Sequence, residues 1–195
     1  MTEQELIDTC ALLGYNRLWI DYGFLNLEYL LQQKVFFDES GDKNTEHYRY
    51  RAFSDYLHGK PCLTDTAFDH YLQLALLDPA PLMAGSALSD LFKSIDLPER
   101  QFDRLSKTLL AFGDWAGKIV LRHSLLRKLR TEAFDDPLFR ECMEHGDSFV
   151  QQKLLNLANR EQLEELANQA CNRQIRNMAK VELRRLVAIS KRSSK

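Results

Sequence analysis

The chain has 195 residues, 45% of them apolar and 28% charged, which is enough apolar surface to offset the entropy of ordering one domain and excludes a disordered tail protein. Its 26 basic and 28 acidic residues give a net charge of -2, so no global field draws it to nucleic acid or an anionic membrane. Only 8 Gly and 5 Pro occur, too few for a hairpin-rich fold, and helix is the expected class.

Apolar residues recur at three- and four-residue intervals almost from end to end, the signature of amphipathic helices, and no segment alternates strictly as a half-buried strand does. Ten or eleven helices are expected. The first spans 3–13 and closes at Gly14; a long aromatic helix is expected over 16–36, with Trp19, Ile20, Leu27, Leu30 and Leu31 as its apolar side. The polar run 38–44 is read as a loop, and Thr45 as the N-cap of a helix reaching His58.

Further helices are expected near 65–77, 81–94, 99–112, 115–131, 137–145, 148–158, 161–170 and 173–190. Asp78-Pro79, Leu97-Pro98 and Asp136-Pro137 stop the helices before them, because proline disfavours helical geometry in the preceding residue. Gly113-Asp114 and Gly146-Asp147 pair a helix-ending glycine with an acid able to cap the next helix. The joints are short, which makes consecutive helices antiparallel neighbours.

A four-residue spacing of core positions is read five times: Tyr48, Ala52, Tyr56; Met83, Ala87, Leu91; Leu121, Leu125, Leu129; Phe149, Lys153, Leu157; and Ile175, Ala179, Leu183, with the fourth copy defective at Lys153. The stretch FDHYLQLALLDPAPLMAGSALSDLF resembles a HEAT-like, armadillo-type helical repeat, and LEELANQACNRQIRNMAKVELRRL resembles a second, with Ile175-Arg176 and Ala179 at the family's positions. The resemblance implies an all-α, right-handed α-solenoid of about five antiparallel helix pairs over 1–195, with 1–14 as an N-terminal capping helix and 191–195 as a flexible basic tail. An irregular helical bundle is the alternative architecture.

The N-terminal residues carry acids and no basic stretch followed by an apolar run, so a cytoplasmic location without a membrane span is expected. Cys10, Cys62, Cys142 and Cys171 stand far apart and are read as reduced, mostly buried small side chains, with no metal motif; a disulfide pair stays open. No phosphate loop, nucleophile elbow or metal motif is present, and no catalytic residue, cofactor or metal is assigned. The groups Glu141, Glu144, His145 and Asp65, Asp69, His70 are read as solvated surface.

Two segments carry candidate binding residues. In HYRYRAFSDYLH, Arg49 and Arg51 interleave with aromatics, as single-stranded nucleic acid or a phosphorylated ligand would use. Residues 173–195 hold eight cations and one acid, a local charge of +7 that leaves -9 for the rest, and Arg173, Arg176, Lys180, Arg184 and Lys191 fall in one helical row. With Arg49, Arg51 and Arg122, the first four of that row form a tentative contact set for phosphates or an acidic partner. The expected function is a non-enzymatic module binding another protein through a curved surface. The alternative is a phosphate-backbone binder resembling HEAT-like DNA-repair glycosylases in architecture, though their catalytic acid and aromatic cradle have no match here. Oligomeric state is not read.

Overall fold

A computed structural model describes residues 2–193, without the side chains of residues 187 and 189–193. Every regular element among the described residues is a helix: α1 (Glu3–Leu13), α2 (Leu18–Asp21), α3 (Leu27–Glu39), α4 (Thr45–Leu57), α5 (Asp65–Leu76), α6 (Pro81–Ser94), α7 (Glu99–Leu110), α8 (Asp114–Thr131), α9 (Asp136–His145), α10 (Ser148–Leu154), α11 (Arg160–Gln169) and α12 (Arg173–Ser193). The class is all-α, as the composition implies. None of these helices is long and apolar enough to cross a membrane. The tail expected at 191–195 lies outside the described side chains, and residues 194 and 195 outside the described residues.

The helix ends follow local chemistry. Thr2 and Glu5 form a capping box at α1, and Gly14 closes that helix in the left-handed conformation at φ 76°. The single long helix expected over 16–36 does not form. Gly23, at φ 72°, breaks the chain, and the Asn26 side chain accepts from the Tyr29 N–H to start α3 afresh. Asn44, not Thr45, caps α4, because the Thr45 hydroxyl is occupied by Arg49.

The chain divides into two compact units, 1–116 and 117–195. In the first, α1 packs on α3 and α4, α4 on α6, and α5 on both α6 and α7. Its centre is aromatic: Phe53 lies between Trp19 and Tyr71, with ring centroids 4.5 and 4.7 Å away, and Phe24 stacks on Tyr56 at 3.7 Å. The buried Tyr71 hydroxyl donates to the Ala87 carbonyl at 3.0 Å, so the ring is held at both ends. Gly85 on α6 admits the Trp115 ring; a Cβ there would lie 2.6 Å from it.

In the second unit α9, α10, α11 and α12 pack around Phe139, Cys142, Val150, Leu154, Leu166 and Ile175, with α11 lying closest on α12. The buried Gln151 side chain donates to the Met143 carbonyl at 2.9 Å and accepts from the Cys171 N–H at 2.8 Å. That one carboxamide ties the segment before α12 to the end of α9 and satisfies two backbone groups. All four cysteines are free, but only Cys10 and Cys142 are buried; Cys62 and Cys171 are exposed, against the expectation of mostly buried thiols.

Candidate functional site

The four-residue spacing meets the core on α4, α6 and α12, where Tyr48 and Ala52, Met83, Ala87 and Leu91, and Ile175 and Ala179 are buried. On α10 it does not. The buried positions there are Val150, Gln151 and Leu154, one residue out of step, so Phe149 and Lys153 face outward. Lys153 is therefore no defect in a core row; it belongs to an exposed helix side.

That side forms one wall of a cleft of about 920 Å³ between α10 and α12. Leu155 and Met178 supply apolar surface, and Phe149 and Val181 lie beside them at 50% and 58% exposure. Lys153 holds its ammonium 5.5 Å from the Phe149 ring centroid, and Arg173 enters from the first turn of α12. Gln152 and Asn156 on the α10 side and Gln174 and Asn177 on α12 complete the lining. Among the described residues none of these four carboxamides has a hydrogen-bond partner, so each keeps a donor and an acceptor for a ligand. Glu182 also lines the cleft, with Arg185 3.6 Å away on its far side, so against Lys153 and Arg173 the lining is weakly cationic.

The structure separates the residues that the sequence grouped. Arg49 is 3% exposed and forks onto the 1% exposed Asp78, with Nε to Oδ2 at 2.7 Å and Nη2 to Oδ1 at 3.1 Å, while Nη1 donates to Thr45. Every edge of that guanidinium is used, so Arg49 cannot reach a phosphate and is corrected from a binding residue to a structural one. Arg51, two residues on, stands 67% exposed beside the α3–α4 cleft. Arg122 donates to Asp147 at 2.5 Å, the same acid whose other oxygen caps α10. Arg176 folds back to the Ala170 carbonyl at 2.5 Å. Lys180 and Arg184 are exposed but are not part of the cleft lining. Among the described side chains of the expected row, Arg173 alone lines the cleft.

Phe149, Gln152, Lys153, Asn156, Gln174, Asn177, Met178 and Val181 escaped the sequence reading as site residues. The signal was Lys153 itself, a charge at a supposed core position. Glu141 is bound by Lys128 at 2.6 and 2.8 Å, His145 lies 3.8 Å from Glu144, and no group of metal-ligating side chains gathers among the described residues. The Cys142 thiol is pushed up to about 11 by burial and then by Glu141, so it stays protonated and inert at neutral pH. No family model matches the sequence, and neither a curated protein nor a solved structure matches it.

Proposed function

We propose that this chain is a non-enzymatic helical-repeat interaction module that docks a segment of another protein in the α10–α12 cleft. The observation that carries the reading is the coincidence, in one groove, of exposed Phe149 and Val181 with four unpartnered carboxamides and two open cations. A peptide segment offers what that lining can take: apolar side chains for the floor, backbone N–H and C=O groups for the carboxamides, and a carboxylate for Lys153 or Arg173. A cytoplasmic partner is the natural counterpart of the sequence.

Contacts two elements apart, α4 on α6, α5 on α7 and α10 on α12, support the solenoid reading within each unit, because stacked helix couples touch in that pattern. A phosphate-backbone surface gains little support, since Arg49, Arg122 and Arg176 are committed to Asp78, Asp147 and the Ala170 carbonyl.

The test is affinity capture with the wild-type chain and with a Phe149→Ala, Arg173→Glu double variant matched to it in melting temperature. A stoichiometric protein retained by the wild type at about 0.3 M salt and lost from the variant is expected, because an apolar contact survives screening. Equal recovery by both chains contradicts the groove, and nuclease-sensitive capture favours the phosphate-backbone reading.

A further inference from the structure

Side chains of α3 and α4, with Asp42 from the loop between them, line a smaller cleft of about 310 Å³ in the first unit, made of other residues than the α10–α12 groove. Its walls are aromatic. Tyr29 and Phe36 come from α3 and Tyr48 from α4, with the Phe36 and Tyr48 centroids 6.1 Å apart in an edge arrangement. Phe36 is half exposed although it borders this cavity.

The floor is rigidly built. Gln33 is buried, accepts from the Tyr15 hydroxyl at 2.6 Å and donates to the Tyr48 carbonyl at 3.3 Å. The Tyr48 hydroxyl donates to the Asp42 carbonyl at 2.9 Å, which fixes that ring as well. Such a network preorganises the cavity before any ligand enters.

Charge is arranged along one side of α4. His47 and Arg51 stand one turn apart and both line the cleft. One acid, Asp42, lines the cleft itself and holds His47 Nδ1 at 2.9 Å, so it offsets part of the imidazolium charge and leaves Arg51 as the main cation; Asp55 lies 3.7 Å from Arg51 Nε, one turn further along. Asp55 already accepts the Tyr29 hydroxyl at 2.6 Å. At 3.7 Å the Arg51 contact is too long for a hydrogen bond, so the guanidinium keeps its donors for a ligand. Asp42 also raises the His47 pKa, chiefly by hydrogen bonding, so the imidazole holds its proton further into the neutral range. Glu46 is drawn off to the Asn44 amide at 3.0 Å, and Lys43 is engaged by the Phe37 carbonyl and ring.

We propose that the α3–α4 cleft is a binding site for a small organic anion carrying one aromatic ring, with the ring against Tyr29, Phe36 and Tyr48 and the anionic head between His47 and Arg51. Its volume lies at the small end of ligand pockets, roughly 300–1,000 Å³, which suits a single ring. A guanidinium grips carboxylate and phosphate in two-point geometry, so either head group shares the recognition.

The experiment titrates ¹⁵N-labelled protein with phenylacetate, phenyl phosphate and the neutral isostere phenylacetamide, following amide shifts. Saturable shifts at 47–51 and across the cleft on α3 are expected with an anion at millimolar concentration, with at least about tenfold weaker response to phenylacetamide. Arg51→Gln, at an exposed position whose loss leaves the remaining spectrum unchanged, should weaken anion binding about tenfold. The stronger of the two anions identifies the head group. No saturable shift from either anion up to about 20 mM, an equal response to phenylacetamide, or an unchanged affinity in Arg51→Gln each overturns the proposal.

Discussion

The Arg49–Asp78 region of the first unit and the α10–α12 groove of the second treat polar side chains in opposite ways. Around Arg49, donors and acceptors are matched within the fold: both Asp78 oxygens receive the guanidinium, one of them also takes the Ala80 N–H at 2.8 Å, and Thr45 closes the remaining edge. In the groove, four carboxamides, Lys153 and Arg173 stand open beside exposed apolar side chains. Charge is spent internally in one place and left available in the other, and composition alone does not tell which.

The sharpest way to break this contrast is to remove Arg49. Arg49→Met leaves Asp78 as an uncompensated buried charge, and the expected cost is about 3–5 kcal/mol in urea unfolding. The matching Arg173→Met change in the groove should stay within about 0.5 kcal/mol. Equal effects would erase the distinction. Gly85→Ala comes next. In an ordinary helix that change stabilises by roughly 0.8–1 kcal/mol, but here the new Cβ meets Trp115, so a loss of about 1–3 kcal/mol is expected in the same assay.

Smaller effects sharpen the picture at half-exposed pairs. Lys128→Met removes the Glu141 contact, where both partners are more than a third exposed, and double-mutant cycles should give only about 0.2–1 kcal/mol. The smallest prediction concerns His47. Asp42 raises its folded-state pKa, so the pair stabilises the fold below the ordinary imidazole value near 6.5 and loses that contribution as pH rises through the raised value. NMR titration should place His47 above its ordinary pKa, and Asp42→Asn should return it there. An unshifted His47 in the wild-type chain contradicts the contact.

Much of the fold is legible before any coordinates. α1 and α6 carry their end signals in the sequence, Gly14 after the first and Pro81 at the start of the other, and their bounds coincide with the periodic pattern. The split between α2 and α3 is less legible, because Trp19, Leu27, Leu30 and Leu31 keep a helical period straight through Gly23. Only the left-handed backbone at Gly23 and the side-chain cap from Asn26 interrupt it. The site is harder still. Asp78 is read as a helix stop before proline, and nothing local announces that its carboxylate meets Arg49 from another helix. Phe149 illustrates the reverse error: an aromatic at a four-residue spacing looks like core, yet α10 buries Val150 and Leu154, one residue further along. Register on a seven-residue helix is set by its neighbours, and a period alone leaves it free by one position.

Photo-crosslinking tests the docking groove most directly. A benzoylphenylalanine placed at Phe149, with a second variant carrying it at the exposed Leu76 of the first unit, is irradiated with the captured partner. Crosslinking from position 149 that vanishes on Arg173→Glu, with little from position 76, is the expected result. Crosslinking from position 76 and none from 149 contradicts the α10–α12 groove as the docking surface.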